Sequence, residues 1–399
     1  MEGVKAKISI LLVLFLGYIG YSLSLPIFPV LFLDPEMAIT TSKGLVNTAL
    51  LGGLLASYPI GQFFGSPLIG KLSDKYGRKL ILSITLGAIV PAHLLTGFMI
   101  DLKSLAGLYI ARLFCGLLEG NIVIGQASIA DLSDPGQNKA KDFGWITAVV
   151  SSAFIFGPLL GGQLASLIGY SAPFYLAAAL AFISLLGVLY FFKDTKAPRL
   201  DLTVRFKDTF SLIIHNITKP LLGYVYFCNF LFYSSILLFF SFISVYLLEA
   251  FSFDVAMLGY ANAYLSIPIA LTPLFLKTTR HPRKTMGVAA LLFGLSLFLL
   301  IIPHSPYALL FTLLPTGIFA AFGLTFCPLL VSNLVNEHSQ GEALGVNQSV
   351  LVFAESITGI VGGFLVAISP GMPLAVGAIF ALLCALVALP LCPKKQKTI

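Results

Sequence analysis

Long apolar stretches fill most of the 399-residue chain, and short polar or charged segments separate them. A helix that crosses a bilayer needs roughly 20 mostly apolar residues. Divided at its charge clusters and at its Pro and Gly breaks, the pattern predicts twelve such helices, numbered here as spans 1 to 12. Their predicted limits are 8–32, 44–69, 80–100, 105–130, 143–168, 172–193, 220–248, 256–276, 285–303, 307–333, 342–368 and 372–392.

The composition supports this assignment, because 58% of the residues are hydrophobic and only 10% are charged. A soluble domain usually has about 25% charged residues. The sequence therefore predicts an all-α membrane protein. Span 1 follows a short basic tail and is too long for the apolar part of a cleavable signal, so we expect it to remain as a permanent anchor.

The positions of the basic residues predict the topology, since Lys and Arg of short loops accumulate on the cytoplasmic side. With both termini in the cytoplasm, 21 of the 24 basic residues fall in cytoplasmic segments. The exceptions are Lys43 and Lys103, in outer loops, and Arg112, within span 4. We therefore predict cytoplasmic termini and a place in the inner membrane. The net charge of +7 follows the inner leaflet and requires no nucleic-acid partner.

A hydrophilic connector at 194–219 divides the spans six and six. It predicts an N-terminal bundle at 1–193 and a C-terminal bundle at 220–399, joined by a linker that is either solvated or a short amphipathic helix on the membrane surface. The halves share a glycine pattern at a constant offset of 201 residues, which favours duplication. The matched pairs are Gly144 with Gly345, Gly161 with Gly362, and Gly162 with Gly363.

The charged segment between spans 2 and 3 contains the most informative motif. Its glycines allow a tight reversal of the chain, and its aspartate can face the positive end of a helix. The motif reads Gly70-x-x-x-Asp74-Lys75-x-Gly77-Arg78-Lys79. It resembles the signature segment between helices 2 and 3 of the major facilitator superfamily. The resemblance implies two pseudo-symmetric six-helix bundles around a cavity that opens to each side of the membrane in turn.

Span 5 places a proline among three glycines, which membrane helices tolerate but rarely concentrate. The motif residues are Gly157, Pro158, Gly161 and Gly162. They resemble the Gly-Pro-x-x-Gly-Gly signature of the drug:proton antiporter branch of the same superfamily, which contains multidrug and tetracycline exporters. The full signature has another glycine four residues earlier, where this chain has Ala153. A simple helix kink is the alternative interpretation.

Span 4 places Arg112, Glu119 and Gln126 on one helical face, together with Gly116. Charges at this depth cost several kcal/mol unless they meet water or a partner. Arg112-x-x-x-Gly116 resembles the helix 4 motif of the superfamily, whose arginine is implicated in proton coupling. A carboxyl group in apolar surroundings holds its proton more tightly, as a proton carrier requires. We therefore predict that Glu119 is a proton or substrate site, with an ion pair to Arg112 as the structural alternative.

Glu355 is a second embedded acid, in span 11, and no cation lies near it in the sequence. It is a candidate for proton coupling, or else a group that joins two helices by a hydrogen bond. His93 in span 3 is predicted to be structural, because the resemblance places that helix at the periphery.

Small residues recur at four-residue steps along span 2, at Gly53, Ser57, Gly61 and Gly65. Such a stripe allows another backbone to approach closely. It predicts either static packing or a sliding contact between the two halves.

The resemblance implies that spans 1, 4, 7 and 10 line the cavity. Span 1 then contributes Tyr18 and Tyr21, and span 7 contributes Tyr226, Asn229 and Tyr233. Aromatic and amide walls suit an amphipathic organic solute. Aromatic residues are also common in membrane cores and interfaces, so a packing role stays open for each.

The resemblance also implies a cytoplasmic gate. In the superfamily the signature aspartate faces the N-terminus of helix 11, and the signature arginine pairs with an acid at the end of helix 4. The corresponding residues here are Asp74, Arg78 and Asp131. The predicted gate comprises Gly70, Asp74, Gly77, Arg78, Lys79 and Asp131.

Together these features predict a proton-coupled antiporter that exports a small amphipathic solute such as a drug or a siderophore. The alternative is a proton-coupled or facilitated importer of a nutrient or a metal chelate. A receptor without transport would be expected to carry a sizeable soluble domain. The sequence has no Gly-x-x-x-x-Gly-Lys-Ser/Thr loop and no cysteine spacing typical of a metal site. We therefore expect no enzyme activity, cofactor or metal, and a monomer whose partners are its solute, protons and the bilayer.

Overall fold

The computed structural model describes residues 2–132, 137–194, 200, 206–276, 281–302, 305–336 and 339–389. In this part of the chain eleven helical segments are long and apolar enough to cross a membrane. The shorter apolar helix Met372–Ala388 occupies the position of the twelfth predicted span. The prediction of an all-α membrane protein is therefore confirmed.

Fifteen helices form the described part of the chain, because two of the predicted spans are each divided in two and the connector contains a helix of its own. Spans 1 and 4 are the divided ones. The helices are α1 (Glu2–Ser22), α2 (Ile27–Leu33), α3 (Gly44–Tyr76), α4 (Arg78–Asp101), α5 (Leu105–Leu117), α6 (Gly120–Leu132), α7 (Gln137–Leu167), α8 (Ala172–Phe191), α9 (Phe206–Thr218), α10 (Pro220–Phe251), α11 (Val255–Phe275), α12 (Pro282–Ile301), α13 (Pro306–Ser332), α14 (Gln340–Val366) and α15 (Met372–Ala388).

The same packing scheme occurs in both halves. In the N-terminal half, α1 packs against α7 and α8, α4 packs against α5 and α8, and α3 packs against α5. In the C-terminal half, α10 packs against α14 and α15, α12 packs against α13 and α15, and α11 packs against α13. Each pair in the first set becomes a pair in the second when the span number increases by six. The two bundles are therefore related by pseudo-symmetry.

Among the contacts between the halves, which include that of α2 with α10, the two most extensive are those of α3 with α14 and of α7 with α11. Glycines face each other across both contacts. A Cβ atom added to Gly52 would lie 2.7 Å from the Cα atom of Gly363, and one added to Gly162 would lie 3.0 Å from the Cα atom of Gly259. Such distances leave no room for a side chain. Both contacts lie toward the ends of the helices that are remote from α9, and we call this end of the molecule the distal end.

The glycine pairs predicted from the offset of 201 residues have matching surroundings. Gly161 faces the backbone of span 1, and its counterpart Gly362 faces the ring of Phe242 in span 7. Gly162 and Gly363 both face the opposite half. At Gly144 and Gly345 a Cβ atom would meet nothing within 4 Å, a second likeness between the halves.

Two spans of the N-terminal half are interrupted, which the hydropathy pattern did not predict. Span 1 breaks between α1 and α2, where Pro26 supplies no backbone N–H group for a helical hydrogen bond, and Pro29 follows in the first turn of α2. Span 4 breaks between α5 and α6 at Leu118 and Glu119. There the N–H group of Gly120 donates to the carbonyl of Leu118 at 2.6 Å, so a tight turn replaces the helical bond.

The small residues of span 2 pack within their own bundle. A Cβ atom on Gly61 or Gly65 would meet the backbone of Leu117 on α5, and one on Gly53 would meet the side chain of Tyr109. The contact between halves uses the neighbouring Gly52 instead. The sliding-contact interpretation of this stripe is therefore wrong, and static packing is correct.

The connector contains helix α9, so the short helix that was one of its two predictions is present, and its place on the membrane surface stays a prediction. The Asn216 side-chain amide in α9 donates to the Glu342 carboxylate in α14 at 2.6 Å. The same asparagine accepts a hydrogen bond from the Lys219 ammonium group at 3.1 Å. These bonds attach the connector to the C-terminal half.

Candidate transport site

A cavity of about 590 Å³ lies between the two halves. Its walls come from spans 1, 2, 4 and 5 and from spans 7, 8, 10 and 11. Among the described residues, spans 3, 6, 9 and 12 contribute no side chain to them. The polar lining residues are Tyr18, Tyr21, Tyr58, Gln62, Gln126, Thr147, Ser151, Ser241, Ser266, Thr325, Gln348 and Glu355.

The cavity is closed at the distal end by the two glycine contacts. On α7 the lining residues run from Ile146 to Phe154, and the contact residue Gly162 lies beyond them. On α14 they run from Gln348 to Glu355, with Gly363 beyond. The cavity therefore occupies the part of the molecule between this seal and the end that carries α9.

Glu119 lies at the break of span 4 and is only 2% exposed. The hydroxyl of Tyr58, from span 2, donates a hydrogen bond to its Oε2 atom. Because Tyr58 also lines the cavity, it connects the buried carboxyl group to the cavity wall. An ionisable side chain buried in a membrane helix is costly, and such residues mark ion and proton pathways in transporters.

Arg112 is 3% exposed, and its guanidinium carbon lies 4.6 Å from the centre of the Tyr58 ring and 5.1 Å from that of Phe28. These distances fit cation–π contacts. Within the described part of the chain, its Nε and Nη1 atoms have no hydrogen-bond partner, and no carboxylate lies within 4.0 Å of it. Among the described contacts, Tyr58 touches both groups, with its ring against Arg112 and its hydroxyl on Glu119.

Glu355 lines the cavity and links the two halves. The hydroxyl of Tyr21, in α1, donates a hydrogen bond to its Oε1 atom at 2.6 Å. The rings of Tyr21 and Tyr58 are 5.0 Å apart between their centres. The two embedded acids, Glu119 and Glu355, are thus connected through a contacting pair of tyrosines.

The predicted cavity residues divide into two groups. Tyr18, Tyr21 and Gln126 lie in the wall as predicted. The span 7 residues Tyr226, Asn229 and Tyr233 do not, because they lie on the face of α10 that turns into the C-terminal bundle.

Hydrogen bonds hold these span 7 residues inside the bundle. Asn229 donates to the side-chain oxygen of Asn347 at 2.7 Å, and Asn347 donates to the hydroxyl of Tyr233 at 2.8 Å. The Tyr226 hydroxyl donates to the carbonyl of Ala343 at 2.9 Å. The cavity face of α10 instead carries Ile236, Leu237, Phe240 and Ser241.

Arg78 is the centre of the signature segment. It bonds Asp74 at 2.8 Å, Asp131 at 3.1 Å and the Ser73 hydroxyl at 2.8 Å. The expected pairing with the acid at the end of span 4 is therefore present. Among the described contacts, those of Asp74, Arg78 and Lys79 stay within the N-terminal half and the first residue of the connector, Asp194.

The chain reverses at Gly77 alone. Gly77 has φ +101°, a conformation that favours glycine, and it is the single residue between α3 and α4. Gly70 lies inside α3, so its predicted role in the turn is wrong.

Asp194 belongs to this cluster and was not predicted. Its carboxylate accepts a hydrogen bond from the backbone N–H group of Lys79 at 2.7 Å, at the N-terminus of α4. A negative charge is favourable there, because the end of a helix carries unpaired N–H groups and a partial positive charge. The acid that faces the N-terminus of α4 is therefore Asp194. Asp74 instead pairs with Arg78. Asp194 lies just after span 6, where its charge suggested only a loop.

The Gly-Pro motif of span 5 packs α7 on two sides. Gly157 faces Ser22 and Gly161 faces Leu23, both next to the break in span 1. Gly162 faces Gly259 of the other half. Helix α7 continues through Pro158 without interruption. The motif therefore permits close contact with two spans, beyond any kink that its proline introduces.

Known proteins support a transporter. The family model described as Major Facilitator Superfamily matches residues 10–276 and 225–399 of the chain. The chain is 27% identical to the class B tetracycline resistance protein of Escherichia coli over 374 residues, which cover 91% of this chain and 88% of that one. It is 34% identical to the quinolone resistance protein NorA of Staphylococcus aureus over 185 residues, 46% of this chain and 44% of that one. The human organic anion transporter MFSD10 (TETRAN) superposes with a TM-score of 0.73 at 22% identity, over 97% of this chain and 99% of that one.

Proposed function

Because the chain belongs to the major facilitator superfamily, we propose that it is a proton-coupled antiporter that exports a small amphipathic solute by alternating access. It is a multi-pass membrane transporter of the drug-antiporter branch and not an enzyme. The observation that carries the proposal is the connection between Glu119 and the cavity. A buried carboxyl group bonded to a residue of the cavity wall can respond to a solute in that cavity.

The cavity walls indicate the kind of solute. They are mainly apolar and aromatic, and Glu355 is the only charged side chain among the described lining residues. A volume of about 590 Å³ is within the range of sites for drug-sized ligands. A negative wall charge favours a neutral or cationic solute over an anionic one. Relatives named for tetracycline and quinolone resistance support an antibiotic-like solute, and a siderophore is the second candidate.

The proposal assigns a state to the structure. With the termini in the cytoplasm, the distal end faces outward, so the closed glycine contacts correspond to an inward-facing transporter. Alternating access then requires these contacts to separate while the end that carries α9 closes. By its resemblance to the superfamily, the signature segment closes that end, and Asp74 and Arg78 would then contact the other half.

Proteoliposomes with an acidic interior and an enclosed pH dye test the function. Tetracycline, a quinolone or an iron-free siderophore is added outside. An antiporter takes the solute in as protons leave, so the interior becomes more alkaline in a saturable way. Solute uptake that leaves the proton flux unchanged would indicate a facilitator. Uptake that instead requires an acidic exterior would indicate a symporting importer. Either result would contradict the proposal.

We expect Asp74→Asn to lower transport while the yield of folded protein stays nearly unchanged. The substitution removes one of the two carboxylates of Arg78. The side chain of Asp74 is 45% exposed here, and an exposed ion pair contributes about 1 kcal/mol or less to stability. We expect the loss of transport to come from the closed gate, where Asp74 would contact the other half, because only an interaction that differs between the two states shifts their equilibrium. Solute efflux from cells and the amount of protein in detergent extracts measure the two quantities.

The control for this variant is Glu36→Gln, because Glu36 is an exposed acid outside the signature cluster. It should transport like the wild type. If Asp74→Asn also transports like the wild type, the signature cluster has no part in the gate.

A further inference from the structure

A second and much smaller pocket, of about 10 Å³, lies inside the N-terminal half. His93 of α4 and Glu119 both line it. The rest of its wall comes from α1, α4 and α8 and includes Gly17, Gly20 and Ser184. No residue of this wall is shared with the central cavity. A space of about this size holds one water molecule when two or more polar groups can bind it.

A chain of contacts leads from Thr96 through Cys115 to the imidazole of His93. The Thr96 hydroxyl donates to the carbonyl of Ala92 at 2.9 Å, so its oxygen is left to accept. That oxygen lies 3.8 Å from the Cys115 sulfur, which lies 3.9 Å from His93 Nδ1. One assignment satisfies all three contacts: the thiol donates to Thr96, and its sulfur accepts from the Nδ1–H group of His93. His93 Nε2 is then the nitrogen with a free lone pair.

His93 Nε2 faces the wall of the small pocket. A Cβ atom built on Gly20 would lie 3.5 Å from this nitrogen. The ionisable groups around His93 all lie on span 4: Arg112 and Cys115 on α5, and Glu119 at the break. The pocket residues of α1 and α8 are apolar or glycine apart from the serine, Ser184. The only carboxyl group in the pocket is therefore Glu119, within the described part of the chain.

We propose that the small pocket holds one water molecule through which His93 exchanges a proton with Glu119. In this step the carboxyl group of Glu119 gives its proton to the water, while the water gives one of its own to His93 Nε2. The products are a carboxylate, an imidazolium and an unchanged water molecule, and the reverse transfer restores the starting state. His93 is thus a positioning residue that acts through Glu119. The inference rests on the proposed proton coupling.

This arrangement gives the two ligands of an antiporter different routes to the same carboxyl group. The solute reaches Glu119 from the central cavity, through Tyr58. The proton exchanges between Glu119 and His93 across the small pocket, on the side of α4 and α8. The solute then does not need to leave the cavity before the carboxyl group exchanges its proton.

The variant Gly20→Ala tests the pocket without changing any ionisable group. Its methyl group would occupy the pocket while making only ordinary contacts, at 3.5 Å to His93 and 3.7 Å to Ala177. We expect pH-driven solute uptake into proteoliposomes to fall about tenfold or more, the loss typical of a disturbed acid–base relay. Exchange of labelled for unlabelled solute moves no net proton and should stay at the wild-type rate.

The matched control is Gly87→Ala. Gly87 is a helical glycine like Gly20, but it lies on α4, where a Cβ atom would meet only Leu185 at 3.9 Å. This variant should match the wild type in both assays. His93→Gln keeps hydrogen bonding but cannot accept a proton, so it should repeat the result of Gly20→Ala. A plot of its uptake rate against pH should also lack the part of the wild-type curve that depends on protonation of His93.

Two outcomes would overturn the inference. The first is wild-type pH-driven uptake in both Gly20→Ala and His93→Gln. The second is equal loss of uptake and exchange, which would indicate a purely structural effect. A failure of the proposed function is distinguishable from these, because the wild-type protein itself would then show no proton-coupled uptake.

Discussion

Glu119→Gln should abolish proton-driven transport while the protein still binds its solute. Glutamine preserves the size of the side chain and can still accept the hydrogen bond from Tyr58, but it cannot release a proton. We expect pH-driven accumulation in proteoliposomes to fall about a hundredfold or more, since the loss removes the proton carrier and not merely one contact to it. Exchange of labelled for unlabelled solute should continue, and the solute should still raise the thermal midpoint of the purified variant.

Two further variants make this result interpretable. Glu249→Gln changes an exposed acid at the distal end of α10 and should behave like the wild type. Glu355→Gln removes the charge from the cavity wall and the partner of Tyr21, so we expect weaker solute binding as well as slower transport. Undiminished pH-driven accumulation in the Glu119→Gln variant would remove this residue from the coupling mechanism. If the variant lacking both acids also accumulated solute, proton exchange itself would be excluded.

The acids were found from the sequence because a charge inside an apolar helix is costly and therefore rare. Glu119 and Glu355 were identified in this way, as was Arg112. Tyr58 was missed, although it connects Glu119 to the cavity. A tyrosine in a membrane helix has many ordinary roles, and only its neighbours across the bundle reveal this one. Its position one turn before Gln62, which also lines the cavity, is the available signal.

Span 7 shows why helical spacing alone did not predict which residues line the cavity. Tyr226, Asn229 and Tyr233 share a face, as their spacing predicted, but that face turns into the bundle. In a helix buried on nearly all sides, both faces are apolar enough to pack. The spacing gives the members of a face, and the neighbouring helices decide where it points.

The sequence predicted the number and the lengths of the spans, but not that span 4 is divided into two helices. Hydropathy averages over a window, so it does not detect that Glu119 lies at a break between two helices. Gly116 and Gly120 flank this break, yet glycine is common in continuous membrane helices too. The signature segment was predicted as a ten-residue hinge, whereas α3 extends through most of it and only Gly77 turns the chain.

The two halves share their packing but differ in their chemistry. In the N-terminal half, buried charges at Arg112 and Glu119 surround a tyrosine. In the C-terminal half, Asn229 and Asn347 bind a tyrosine without any charge. Duplication explains why the two halves share the same helix packing. Proton exchange is therefore expected to depend on the N-terminal half, while the C-terminal half supplies Glu355 and much of the cavity wall.

Gly363→Ala should slow transport by opposing closure of the distal end. The added Cβ atom would lie 2.6 Å from the carbonyl oxygen of Thr48 and 2.7 Å from the Cα atom of Gly52. Both atoms belong to the backbone of α3, so no side-chain rotation relieves the contact. Carbon atoms pack best at about 3.5 to 4.0 Å, so α3 and α14 would have to separate by about 1 Å. The inward-facing state would then lose stability relative to the outward-facing one.

The expected result is a fall in solute transport of about tenfold or more, as a shift of 1 to 2 kcal/mol in this equilibrium implies. Spin labels at the exposed positions Leu102 and Tyr307, which lie at the distal end in different halves, should move apart in a cysteine-free background. Gly345→Ala is the control on the same helix, because its Cβ atom meets nothing within 4 Å. Unchanged label distances together with normal transport would show that the glycine contact does not hold the distal end closed.

Pseudo-symmetry extends this prediction to the other joint between the halves. Gly162 occupies the equivalent position, and a Cβ atom there would lie 2.6 Å from the carbonyl oxygen of Val255. Gly162→Ala should therefore reproduce both effects of Gly363→Ala, with Gly144→Ala as its harmless control. If only one of the two joints responded, the distal end would open as a hinge about the other joint, and the halves would not rock symmetrically.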